Sequence, residues 1–108
     1  QTQQQVFAAI DGLDKTWRSY QNAALYMVRT KKDYEMGLKY IDQSLALKED
    51  WYSLWIKASI FASKKEFKHA HELGEKAYEH SPKTAESSSL EHELVRQIAE
   101  WKKHDPAS

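Results

Sequence analysis

The chain has 108 residues, a length that fits one domain, and its 16 lysines and arginines are balanced by 16 aspartates and glutamates. That neutral balance argues against a dedicated nucleic-acid binder, and 41% hydrophobic with 30% charged residues excludes a membrane-embedded or disordered composition. Three glycines and two prolines are too few for a turn-rich β-fold, and the lack of cysteine excludes disulfides, thiol nucleophiles and thiolate metal sites.

In chain order, Gln1-Thr2-Gln3-Gln4-Gln5 is a polar tail (1–5) with nothing to bury, expected to be the edge of a longer or processed protein. An N-terminal helical extension is expected over 6–16. Val6, Ile10 and Leu13 continue into Trp17, Tyr20, Ala24 and Met27 at steps of three and four, one face of a helix. Gly12 marks a break there, with Asp14 the expected cap of the second piece. This helix should fade over 29–32. Asp33 should cap the next, whose stripe is Tyr34, Leu38, Ile41 and Leu45, and Asp50 a third over 51–64. The third is apolar nearly all round, as in a helix sandwiched between neighbours.

A fourth helix runs from Glu66 to His80, carrying Phe67, Ala70, Leu73, Ala77 and Tyr78, and Ser81-Pro82 stops it. Residues 81–88 are loop-like by composition. Ser88 and Glu91 have capping-box spacing, so a capping helix should occupy 88–103 with Leu90, Leu94, Ile98 and Trp101 on its stripe and Val95 beside it. Lys102 and Lys103 suit the negative end of its dipole, and the tail from His104 to Ser108 looks frayed. No segment alternates with period two, and no apolar run approaches the roughly 20 residues that cross a bilayer. The fold class is all-α.

Self-similarity is the strongest signal. Thr30-Lys31-Lys32-Asp33-Tyr34 matches Ser63-Lys64-Lys65-Glu66-Phe67 at an offset of 33, which also pairs Gly37 with Ala70 and Ser44 with Ala77. Upstream the offset is 34: Trp17 with Trp51, Tyr20 with Leu54, Ala24 with Ala58, Met27 with Phe61. A two-helix period of this length marks a helical solenoid. The sequence predicts repeat 1 over 17–49 and repeat 2 over 50–82.

These residues resemble the tetratricopeptide repeat family. Leu54, Ala58 and Phe61 look like the large, small and aromatic triplet of its first helix, and Tyr20, Ala24 and Met27 follow it more loosely. Phe67, Ala70, Ala77 and Pro82 match its second helix and closing proline, with Tyr34, Gly37 and Ser44 as weaker equivalents. Glu49 stands where a proline would be, Gly74 where a bulky residue would be, and Lys57 where an apolar one would be. The resemblance implies a right-handed α-solenoid whose concave side binds peptides. A looser resemblance, through Asn22-Ala23-Ala24, Lys57-Ala58 and Ala99-Glu100-Trp101-Lys102, is to the helical tail of secreted bacterial proteins of unknown function. It implies a β-sandwich upstream and a chain that docks on it in cis.

Catalytic and metal chemistry find no support in the motifs. His69 and His71 are two apart and point to different sides of a helix; Glu66–His69 and His71–Glu75 share faces, but no second Glu-x-x-His stands opposite. Ordinary solvated histidines and no cofactor are expected. The serines at 87–89 lack a glycine-bounded elbow and read as helix-start residues. Arg29, Lys31 and Lys32, and Lys64, Lys65 and Lys68, fall in equivalent turns and suggest a local positive ridge. Trp17, Trp51 and Trp101 read as structural. The inner-face positions are Arg18, Gln21, Leu25, Val28 and Arg29 in the first repeat, and Tyr52, Trp55 and Ser59 in the second. Trp55 either anchors a ligand there or packs on the first repeat or under the N-terminal segment. The expected partner is a protein or peptide, since aromatic residues and arginine are enriched at interface hot spots.

Overall fold

The computed structural model describes residues 16–105, and all regular structure among them is helical. The expected extension over 6–16, with its Gly12 break and Asp14 cap, lies outside the described residues up to residue 15. Five α-helices follow in order: α1 (Trp17–Tyr26), α2 (Tyr34–Leu47), α3 (Trp51–Ser63), α4 (Phe67–His80) and α5 (Ser88–His104). A π-helical turn, Met27–Lys31, continues α1. The chain divides into two compact units between Glu49 and Asp50.

In the first unit α1 and α2 form an antiparallel hairpin. Thr16 caps α1, its hydroxyl accepting from the Ser19 backbone N–H at 3.2 Å, and the Asp33 carboxylate caps α2 by accepting from Met36 N–H at 3.0 Å. Small residues let the helices close. Ala23, Ala24, Gly37 and Ser44 are buried with Met27, Tyr40 and Ile41. The buried Ser44 hydroxyl donates to the Trp17 carbonyl at 2.7 Å, which satisfies both groups and ties the end of α2 to the start of α1.

In the second unit α3 pairs with α4, and α4 with α5. Asp50 caps α3, accepting from Tyr52 N–H at 3.1 Å and Ser53 N–H at 3.4 Å. Helix α3 buries Ser53, Leu54, Trp55, Ile56, Ala58 and Ile60, so most of its circumference is covered, as its apolar composition requires. Ala70 and Ala77 of α4 are fully buried. Gly74 explains itself here. A Cβ at that position would lie 2.8 Å from Cγ1 of Ile98 and 3.1 Å from Cζ3 of Trp101, so the missing side chain is what admits α5.

The two hairpin turns account for the change of offset in the sequence. In the second, Lys65 adopts left-handed backbone (φ 65°), its N–H donates to Ala62 O at 3.0 Å, and Glu66 N–H donates to Phe61 O at 2.9 Å. That is the Schellman pattern of a helix end. In the first, Lys32 is left-handed (φ 54°) and Asp33 N–H donates to Met27 O at 2.9 Å, a span one residue longer. The extra residue widens the last turn of α1 into the π form.

Three expectations about α5 need correction. The Ser88–Glu91 capping box does not form: Ser87 holds the cap position without a side-chain cap bond, and Glu91 accepts from Lys83 N–H at 2.6 Å. Left-handed backbone at Lys83 (φ 57°) turns the loop so that its N–H reaches Glu91 first. The stripe holds at Leu94, Ile98 and Trp101 but begins at Glu91 rather than Leu90. Leu90 is 46% and Val95 44% exposed, while Glu91, Leu94, Ile98 and Trp101 are buried, because the packed face runs 91, 94, 98, 101. Finally, Asp105 is not frayed but buried at the C-cap of α5.

Candidate functional site

The eight inner-face candidates lie five in the first unit and three in the second. In the first unit, α1 and its π turn carry Arg18, Gln21, Leu25, Val28 and Arg29 at helical spacing. Arg18 and Arg29 are exposed and Leu25 and Val28 half-buried. Gln21 is only 8% exposed. The Arg18 guanidinium lies 5.0 Å from the centroid of the neighbouring Trp17 ring, and the Lys48 ammonium lies 4.9 Å from the same ring. Two cations on one indole hold Trp17 in place through its electron-rich faces.

In the second unit the first turns of α3 gather three aromatics. Trp55 stacks on Trp51 with centroids 6.0 Å apart and meets Tyr52 edge-on at 5.7 Å, while Trp51 and Tyr52 are edge-on at 6.2 Å. Trp55 is 8% exposed; Trp51, Tyr52 and Ser59 are half-buried. The Trp55 indole N–H donates to Oε1 of Gln97 on α5 at 2.8 Å, and the Gln97 amide donates to Oε2 of Glu93 at 3.2 Å. Trp55 is thus anchored inside the unit, and Trp51 and Tyr52 present its aromatic surface to solvent. The sequence reading did not pick out Gln97 or Glu93. Their i, i+4 spacing was visible, but nothing local shows that Gln97 meets an indole 42 residues away.

Two polar networks lie elsewhere in the second unit. His71, expected to be solvated, is instead 13% exposed, and its Nε2 meets Oδ2 of Asp105 at 2.9 Å. Its Nδ1 lies 3.9 Å from Glu75, whose other oxygen pairs with Lys102 at 2.5 Å. These contacts bind the last turn of α5 to α4. At the other end of α5, burial disfavours charge on Glu91, but hydrogen bonds from the Lys83 N–H and the Ser81 and Ser87 hydroxyls outweigh it. With the Lys83 charge added, the carboxyl is held below its ordinary 4.5.

His69 pairs with Glu66 at 3.8 Å and stacks on Phe61. Among the described residues no group of three or more histidines, aspartates or glutamates is placed to hold a metal ion. No described helix is long and apolar enough to cross a membrane. In comparisons with protein families, curated proteins and solved structures, nothing matched this chain.

Proposed function

We propose that the chain is a non-catalytic, tetratricopeptide-like interaction module, a right-handed α-solenoid by its sequence period, that binds a peptide or partner domain. Binding would use the α1 face around Leu25, Val28 and Arg29 and the α3 face around Tyr52. The observation that carries the reading is the aromatic cluster of α3. The Trp55 indole bonds to Gln97 and packs against Trp51 and Tyr52, so these half-buried rings rest on an anchored partner before any ligand arrives. Pre-ordered aromatic surface loses little freedom on binding, which is where affinity is gained. The matching left-handed lysines that end α1 and α3 support the repeat reading.

The test is site-specific crosslinking. A photoreactive phenylalanine analogue is placed at Tyr52, at Leu25 or, as a control, at the exposed Glu79 of α4. Adducts with one protein from Tyr52 and Leu25, absent from Glu79, are the expected result. Equal labelling from all three positions, or none from Tyr52, would refute the proposal. Trp55 is unsuitable as the probe, since replacing a side chain this buried costs about 3–5 kcal/mol and removes the surface together with the fold.

A further inference from the structure

The His71 imidazole has its two nitrogens unequally served. Nε2 lies 2.9 Å from Oδ2 of Asp105, a buried carboxylate at the end of α5. Nδ1 is buried without a hydrogen-bond partner, although Glu75, one turn along α4, places Oε1 3.9 Å away. A neutral ring that donates from Nε2 leaves Nδ1 as a buried acceptor facing a carboxylate with no proton to give. Adding a proton turns Nδ1 into a donor, and a small shift of the Glu75 side chain then closes a charge-assisted hydrogen bond. The local charge points the same way. Asp105 and Glu75 against Lys102, which engages the other oxygen of Glu75, sum to one negative charge, and a protonated ring neutralises it. Two other groups bear on the ring's surroundings: Lys57, the single charged residue of α3, and His104, which pairs with Glu100 and lies over Phe67. We propose that His71 is an acid-tightened clasp: protonation draws Glu75 onto Nδ1 and holds the last turn of α5 more firmly on α4. Because the charged ring finds these partners only in the folded protein, the contribution is present at acid pH and is lost as pH rises through the imidazole range, about 5–8. The clasp lies within the second unit and works without a ligand.

The test is amide hydrogen exchange in the whole chain, followed by NMR from about pH 8 to about pH 5.5. Protection of residues 101–105, corrected for the intrinsic pH dependence of exchange, should rise about threefold or more towards the acid end, the scale of a partly exposed ion pair. Glu75→Gln, at a side chain 44% exposed, should remove most of that rise while the domain stays folded. His71→Gln should abolish it, and His104→Gln should leave it intact. Protection that stays flat with pH in the parent chain, a rise undiminished in Glu75→Gln, or a rise lost in His104→Gln would overturn the proposal.

Discussion

Gly74→Ala sets two magnitudes against each other. In an open helix interior the change stabilises by about 1 kcal/mol, because alanine restricts the unfolded chain and favours the helix. Here the new methyl would meet Ile98 Cγ1 at 2.8 Å and Trp101 Cζ3 at 3.1 Å. The first atom lies mid-chain in a buried isoleucine and the second on the edge of a buried ring, so neither swings aside freely. Forcing a methylene into such a contact costs about 1–3 kcal/mol, which cancels the gain or leaves a net loss of up to about 2 kcal/mol. Amide exchange at α4 and α5 reads this loss without contribution from the first unit. Ile98→Ala supplies the second arm: it removes Cγ1, so Gly74→Ala should cost at least about 1 kcal/mol less in that background. A Gly74→Ala variant more stable by the full helix-propensity gain, or one that adds independently to Ile98→Ala, would refute the close approach of α4 and α5.

Two further outcomes are expected. Because the folded protein holds the Glu91 carboxyl below 4.5, its contribution is fully present above that value and is lost as pH falls through the lower folded value. Glu91→Gln should therefore flatten the fall of the urea midpoint between about pH 5 and pH 3, and an unchanged slope would reject the loop network. Deleting Arg29 shortens the Met27–Asp33 span to that of Phe61–Glu66, so α1 should end in an ordinary Schellman turn. Stability should stay within about 1 kcal/mol of the parent by urea denaturation. Loss of the Asp33 cap, read from the Met36 amide shift, would show that the π turn is not a one-residue insertion.

What the sequence made legible is what local physics decides. Asp33 and Asp50 cap the helices predicted for them because a cap bonds the N–H groups two or three residues on and needs no distant partner. Ala58, Ala70, Ser44 and Ala77 are buried as their self-similar positions suggest, since close helix approach selects small residues. Two of the misses are nonlocal and one is a matter of helix position. Glu91 was read against Ser88 and is claimed by Lys83, eight residues back across the loop. His71 looked like a surface histidine because its partner, Asp105, is 34 residues away. Leu90 was placed on the stripe one turn before Leu94. The position that closes the face there is Glu91, three residues before Leu94 and about 100° from Leu90 around the helix; Leu94, Ile98 and Trp101 lie where expected. The candidate surface divides the same way: its aromatics were visible, while the Gln97 that bonds the Trp55 indole was not.

That division bears on how the proposed binding surface can be dissected in so small a protein. Trp55 is the residue a sequence-based scan for hot spots selects first, yet its indole is stacked, edge-packed and hydrogen-bonded within the second unit. Removing it disturbs helix packing and ligand contact together, so a loss of binding would not reveal which had failed. Trp51 and Tyr52 are only half-buried. Changes there act on the surface with little cost to the core. Conversely, Gln97→Leu frees the Trp55 indole without altering an exposed ring. A binding defect in that variant would come from lost positioning rather than lost contact. The expected ordering of the two effects, with Gln97 changing positioning and Trp55 changing the fold, follows from where each side chain sits along the hydrogen-bonded chain from core to solvent.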